Sequence, residues 1–344
     1  MKINVKKFAA LLLSIILLAG LLIGLLAGCA GKTDAGTDTR PSLDGKTISV
    51  AATIFPAYDW ARKIIGSQSD RVGLTLLLDK GTDLHSYQPT VEDIYKISTC
   101  DVFVYVGGES DKWVPDALKQ AVNPNMTVVC LMDALAGSLR EEETVEGMEA
   151  GHEHEEAGED EGPEYDEHIW LSLRNAAALC PCICRALEAA DTEHAADYRA
   201  NCDAYTAQLR ELDGRYAEAV SAAQRKTMLF ADRFPFRYLT EDYGLSYYAA
   251  FTGCSAETEA SFETVNFLVN KVDELELPCV MKLEKSDRRL AETIIANTKA
   301  KNAEILELNS LQSVTAQGVA EGVSYLGVME SNLEVLKAAL GAQD

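Results

Sequence analysis

The sequence predicts an α/β fold in which two lobes built on parallel sheets are joined by one long rigid helix. Two series of short apolar segments alternate with segments of helical periodicity, which is typical of parallel strands covered on both faces. Between the two series, apolar residues recur at three- and four-residue steps from His194 to about Ala223, enough for a helix of about 45 Å. We assign residues 46–190 to the first lobe, 191–224 to the connecting helix and 225–344 to the second lobe.

The elements of each lobe follow from this alternation. In the first lobe, near-continuous apolar runs predict the strands Thr47–Phe55, Val72–Leu78, Asp101–Val106 and Met126–Leu131. Helical periodicity predicts the helices Trp60–Ile65, Val91–Ile97, Trp113–Ala121 and about Leu171–Ala190. In the second lobe, the predicted strands are Met228–Ala231, Tyr247–Phe251, Val280–Glu284 and Ile305–Leu308. The predicted helices there are Tyr238–Tyr243, Ser261–Glu274, Arg288–Thr298 and Ala320–Leu340.

The first thirty residues are typical of a bacterial lipoprotein signal. Three lysines precede an apolar run from Phe8 to Gly28, and Cys29 follows small residues at the end of that run. We therefore predict a signal peptide over residues 1–28, lipid attachment at Cys29 and a flexible tether over residues 29–45. This arrangement would hold the chain outside the cytoplasm on the cell membrane. The alternative is a plain transmembrane anchor, since about 20 apolar residues can span a bilayer.

The charge of the chain excludes one class of partner. Its 344 residues include 31 Lys and Arg against 54 Asp and Glu, for a net charge of −23. So acidic a surface repels phosphate backbones, and nucleic acid is therefore not an expected partner. Residues 141–167 alone hold fourteen acids and no Lys or Arg, without an apolar period. This composition predicts a mobile loop.

Two of the five histidines stand where α/β proteins bind ligands. His85 follows the second predicted strand, in the segment GTDLHSYQPT, and His168 follows the acidic loop, in the segment DEHIWLS. Ligands bind at the carboxyl ends of strands in open α/β sheets. Either histidine alone would be read as a structural or surface residue. Because both lie just outside regular elements in separate segments, they indicate a shared metal site.

The segments around these histidines resemble those of the metal-binding lipoproteins that feed zinc and manganese ABC importers. GTDLHSYQPTVEDI is similar to their G-x-D-P-H-x-Y-E-P-T motif, and DEHIWLSLRNA is similar to their D-P-H-x-W-L-S-P motif. GCSAETEAS, at 253–261, resembles their G-x-S-x-E-x-E-P-S stretch. Leu283–Glu284, with the helix that follows, looks like the unit that supplies their last carboxylate ligand. The resemblance covers about residues 46–342.

The resemblance implies one metal ion held between the two lobes. His85 and His168 are then ligands on the side of the first lobe, and Glu284 is a ligand from the second lobe. Imidazole and carboxylate together suit zinc or manganese. Two carboxylates beside two histidines would favour manganese. We expect zinc, because His152 and His154 in the acidic loop resemble the loop of the zinc-specific branch.

One position departs from the pattern of this family. Where the family has a histidine or glutamate before A-F-x-Y, this chain has Arg233, whose guanidinium offers no acceptor and cannot bind a cation. We expect the neighbouring Asp232 to be the substitute ligand. Since neighbours in a strand face opposite ways, Arg233 would then point elsewhere. If Arg233 faces the cleft instead, the site loses a ligand and suits an anion or a metal chelate.

The function implied by the resemblance is that of a receptor rather than an enzyme. A monomeric, lipid-anchored, extracytoplasmic protein would capture a divalent ion and deliver it to an ABC permease. His152 and His154 would act as a weak accessory collector of metal, and the alternative is two incidental histidines in a solvated insertion. Two other classes compete with the receptor. One is a surface metallohydrolase with three protein ligands and a reactive water, and the other is an adhesin that binds a host surface independently of metal.

Overall fold

The computed structural model describes residues 47–149, 164–255 and 259–342. Eight strands form in this part of the chain, and each lies close to a strand that the sequence predicts. They are Ile48–Ala52 (β1), Val72–Leu76 (β2), Val102–Tyr105 (β3), Thr127–Cys130 (β4), Thr227–Phe234 (β5), Ser246–Thr252 (β6), Cys279–Leu283 (β7) and Glu304–Leu308 (β8). They build two four-stranded parallel sheets with the orders β2-β1-β3-β4 and β6-β5-β7-β8. The predicted fold class is confirmed.

Helices connect the parallel strands, as parallel pairing requires, and two more helices follow the last strand. The helices are Phe55–Ile65 (α1), Val91–Thr99 (α2), Val114–Leu118 (α3), Leu131–Ala134 (α4), Leu173–Ala190 (α5), Ala195–Ala222 (α6), Arg237–Tyr243 (α7), Phe262–Glu274 (α8), Arg289–Asn297 (α9), Ala316–Ala320 (α10) and Tyr325–Leu340 (α11). The prediction of one closing helix from Ala320 is wrong. Gly322 has a φ of +94°, and the side chain of Ser324 caps a new helix by accepting from the backbone N–H of Gly327 at 3.1 Å.

The long helix α6 has 28 residues, a length of about 42 Å, and lies inside the segment assigned to the connection. The core continues through it from one sheet to the other. Tyr216 is fully buried and donates its hydroxyl to the carbonyl of Met329, on α11, at 2.6 Å. From α11, Tyr325 reaches the first lobe, donating to the carbonyl of Trp170 at 2.6 Å and packing 5.3 Å from the ring of Trp60. The two lobes therefore share one cluster of buried hydrophobic residues, and a second cluster lies within the second lobe.

The described ends of the acidic segment bond to each other and to β6, and residues 150–163 of the loop expected over 141–167 lie outside the described residues. The N–H of Glu142 donates to the carbonyl of Glu164 at 2.9 Å, and the N–H of Glu149 donates to the carbonyl of Ala250, on β6, at 2.9 Å. His152 and His154 lie outside the described residues, as does Cys29. No helix in the part of the chain that the structure describes is long and apolar enough to cross a membrane.

Candidate metal centre

The turn after β2 presents His85 with one ring nitrogen already in use. Asp83 caps the short 3-10 helix Leu84–Ser86, because its carboxylate accepts from the backbone N–H of His85 at 3.0 Å. Nδ1 of His85 lies 2.7 Å from Oγ of Ser110 and 3.4 Å from Oε2 of Glu167. These oxygens fix the ring through Nδ1. Nε2 is therefore the nitrogen that faces the site.

His168 is fully buried and is held in the same manner. Oδ1 of Asp166 accepts from the backbone N–H of His168 at 2.8 Å and lies 3.0 Å from its Nδ1. Burial by itself lowers the pKa of His168, but the carboxylates, with Asp166 first, outweigh it and raise that pKa above its ordinary value. Gly253 passes against the ring, where a Cβ would lie 3.1 Å from Cε1 of His168. The ring is thus fixed on both sides, and its Nε2 also points away from the acid.

The structure brings the two predicted histidines together. Nε2 of His85 lies 3.1 Å from Nε2 of His168. Nitrogens bound to one tetrahedral zinc ion at 2.0–2.1 Å are about 3.3 Å apart, so the pair already has the spacing of two zinc ligands. In metal sites the second ring nitrogen of a histidine is usually bonded to a carboxylate or another oxygen. Both rings show that arrangement.

Cys254 belongs to the same cluster, and the sequence analysis missed it. One ligand atom from each of His85, His168 and Cys254 lies within 4.8 Å of the other two. Burial, with the carboxylate of Glu142 as the next cause, raises the pKa of the Cys254 thiol well above its usual range. No motif spacing ties this cysteine to either histidine. The only available signal in the sequence was that Cys254 closely follows a predicted strand, at the kind of position where ligands bind.

Asp232 lines the cleft beside Asp83 and Arg233, but its carboxylate bonds backbone N–H groups and is not part of the cluster with the two histidines. One carboxylate oxygen of Asp232 accepts from the N–H of Leu283, on β7, at 2.9 Å, and the other accepts from the N–H of Arg233 at 2.9 Å. Asp232 therefore ties two strands together. The pairing register between β5 and β6 shifts between Phe230 and Arg233, next to this residue.

The side chain of Arg233 reaches across the site to the turn that carries His85. Its Nη2 donates to Oδ2 of Asp83 at 2.7 Å, and its Nη1 donates to the carbonyl of Ser255 at 3.4 Å. Burial raises the pKa of Asp83, but Arg233 and His85 together outweigh burial and hold that pKa below its usual range. The arginine thus bridges the turn that carries His85 and the turn that carries Cys254.

Glu284 stands at the carboxyl end of β7 and is bound to a neighbour rather than to the histidines. Its carboxylate accepts from the N–H of Ser310 at 2.7 Å and from the hydroxyl of Ser310 at 2.8 Å. The carbonyl of Ser310 in turn accepts from the indole N–H of Trp170 at 2.9 Å. Burial raises the pKa of Glu284. The described cluster therefore contains two of the four predicted ligands.

This fold and this cluster define the class of the protein: a two-lobed α/β binding protein whose cluster of metal-binding side chains draws on both lobes. The particular family follows from its sequence as a whole. Residues 50–339 match the model of the zinc-uptake complex component A periplasmic family, and the chain belongs to that family.

Individual relatives agree with this assignment. The chain is 31% identical over 325 residues, 94% of its length, to the zinc-binding lipoprotein AdcA of Streptococcus pneumoniae, and it spans 60% of that relative. It is 27% identical to the high-affinity zinc uptake system protein ZnuA of Bacillus subtilis, over 92% of this chain and 94% of the relative. The crystal structure of the Zn(II)-bound ZnuA-like domain of S. pneumoniae AdcA superposes with a TM-score of 0.65 at 28% identity, covering 86% and 99% of the two chains.

Proposed function

We propose that this protein captures a zinc ion outside the cytoplasm and delivers it to the permease of an ABC importer. The observation that carries the proposal is the pair of Nε2 atoms 3.1 Å apart, each on a ring whose Nδ1 lies against an oxygen. This pair is prepared for a metal ion before one arrives. The family and the zinc-binding relatives support the same cargo.

The remaining parts of the proposal rest on the sequence. The leader and Cys29 support attachment to the membrane by lipid, and the name of the pneumococcal relative, a lipoprotein, agrees with it. Glu284 is the proposed carboxylate ligand, which exchanges its bonds to Ser310 for the ion. His152 and His154 are the proposed accessory collector. The protein acts as a monomer and carries out no reaction of its own.

Competitive titration tests this proposal. The full chain, purified in detergent and stripped with a chelator, is titrated with zinc and manganese against a chromophoric chelator. We expect one tight zinc equivalent and weaker manganese binding. A double variant, His85→Ala with His168→Ala, removes that equivalent. His194→Ala, at a histidine outside the cluster that is held 2.9 Å from Asp191, is the matched control and keeps it.

The outcomes separate the alternatives. Tight binding of manganese with weak binding of zinc would mean that the protein is a receptor for manganese instead of zinc. An absence of tight binding for either ion would refute the receptor. Asp232→Asn tests whether Asp232 is a ligand. If it is, the variant loses most of its zinc affinity; if Asp232 only bridges strands, the variant keeps that affinity. Zinc-dependent hydrolysis of ester or peptide substrates, or metal-independent binding to host surfaces, would favour the metallohydrolase or the adhesin.

A further inference from the structure

The cluster contains a ligand type that neither the histidines nor the carboxylates provide. We propose that the thiolate of Cys254 binds the captured ion together with His85 and His168, so that the receptor holds its cargo through sulfur as well as nitrogen. This inference rests on the proposed metal-receptor function and specifies how the site selects its ion.

The geometry comes close to what a zinc ion needs. A sulfur at 2.3 Å and a nitrogen at 2.0–2.1 Å from a tetrahedral zinc lie about 3.5 Å apart. The ligand atoms of Cys254, His85 and His168 lie within 4.8 Å of one another. A shift of at most about 1.3 Å therefore closes the site, and it leaves a fourth position for water or a carboxylate.

The local chain is built to bring this cysteine to the histidines. Gly253 lies so close to His168 that an added Cβ would be 3.1 Å from the ring and 2.9 Å from the carbonyl of Phe234. Any larger residue would push the turn, and Cys254 with it, away from the ring. The N–H of Cys254 donates to the carboxylate of Glu142 at 3.3 Å, which fixes the turn from the other side.

Arg233 supports the same arrangement without being a ligand. It bonds Asp83, two residues before His85, and the carbonyl of Ser255, one residue after Cys254. One side chain of the second lobe therefore ties the histidine turn to the cysteine turn. Arg233 is a positioning residue in this proposal.

A thiolate changes which ions the site accepts. Soft sulfur ligands favour zinc over manganese, which prefers oxygen. Two imidazoles and one thiolate therefore select zinc even though the chain lacks a third histidine at this place. The cargo preference then arises from Cys254, and we expect it to fall when the sulfur is replaced.

Cobalt spectroscopy on the full chain in detergent tests the proposal. One equivalent of Co²⁺ added to the metal-free protein should give the intense near-ultraviolet absorption of a sulfur-to-cobalt charge transfer, and zinc should abolish it. Cys254→Ser and Cys254→Ala should lose this band and bind zinc at least about tenfold more weakly. Cys182→Ala, at a partly exposed cysteine of α5, is the matched control and should keep both.

Each outcome decides a different point. If the wild type binds one zinc tightly but shows no charge-transfer band, or if the band survives in Cys254→Ala, the thiolate proposal is refuted and the zinc receptor stands. If neither zinc nor cobalt binds tightly, the receptor itself is refuted. Circular dichroism of the metal-free variants identifies a folding defect. In that case the absence of the band in the wild type would still refute the proposal, because that result needs no substitution.

Discussion

The carboxylate behind His168 offers the sharpest test of how the site is prepared. Oδ1 of Asp166 bonds both the backbone N–H and the Nδ1 of His168. In Asp166→Asn, the amide oxygen can keep both bonds, so this variant removes mainly the charge. In Asp166→Ala, both bonds are lost and the ring is free to turn. The pair of variants separates electrostatics from orientation.

The magnitudes follow from these contacts. Losing a partner behind a metal-bound histidine typically costs 10- to 100-fold in affinity, or about 1.4–2.7 kcal/mol. We expect the loss of zinc affinity to be near 10-fold in Asp166→Asn and near 100-fold in Asp166→Ala. Competitive zinc titration at pH 7.5 measures both. Asp191→Asn, in a carboxylate that also bonds a histidine Nδ1, His194, at 2.9 Å, is the control and should leave the tight equivalent unchanged.

The pH dependence gives a second readout with a definite sign. Asp166 raises the pKa of His168 in the metal-free protein, so protons begin to compete for its Nε2 at a higher pH than usual. Without that charge the pKa of His168 falls relative to the wild type, and competition begins at a lower pH. The affinity gap between the wild type and Asp166→Asn should therefore shrink as the pH falls from 8 to 6. A constant gap, or an Asn variant as weak as the Ala variant, would contradict this account.

Three further expectations concern the surroundings of the site. Burial raises the pKa of Asp111 to about 6. The contribution of this carboxyl to stability is therefore present below about pH 4 and is lost as the pH rises through 6. In urea unfolding of the metal-free protein, Asp111→Asn should remove about 3 kcal/mol of this pH dependence. Gly108→Ala should lower the stability by about 1–3 kcal/mol in the same assay, because φ is +79° and the new Cβ would lie 2.4 Å from the carboxylate of Glu167. Replacing His152 and His154 together by Ala should leave the zinc affinity unchanged and slow only the capture of dilute zinc in stopped-flow experiments.

The fold was predictable because it depends on local patterns. Eight apolar runs correspond to eight strands, and the three- and four-residue steps from Tyr198 to Tyr216 correspond to the buried face of α6. The closing helix was misjudged because its break depends on one glycine conformation at Gly322 and one capping side chain at Ser324. Such single-residue effects leave no periodic signal.

The site was predictable only in part. His85 and His168 were found because each follows the end of an element within a segment that resembles known metal-binding motifs. Arg233 was recognised as the departure, but alternation left open which of Asp232 and Arg233 faces the cleft, and the bond from Arg233 to Asp83 joins residues 150 positions apart. Cys254 was missed because its relation to the histidines is spatial and has no sequence spacing. Long-range contacts of this kind appear only when both sheets are assembled.

The same contacts indicate how the ion leaves. The lobes are joined by a shared core and by buried bonds, such as Trp170 to Ser310 and Tyr325 to Trp170, that an opening of the lobes would have to break. Cys254 is not a member of that shared core, so we expect release through a local shift of its turn rather than through a hinge. Hydrogen exchange followed by mass spectrometry should show zinc slowing exchange around residues 253–255, while the amides of α11 exchange equally slowly with and without zinc. Protection that changes across α11 as strongly as at the turn would show that the lobes move as bodies.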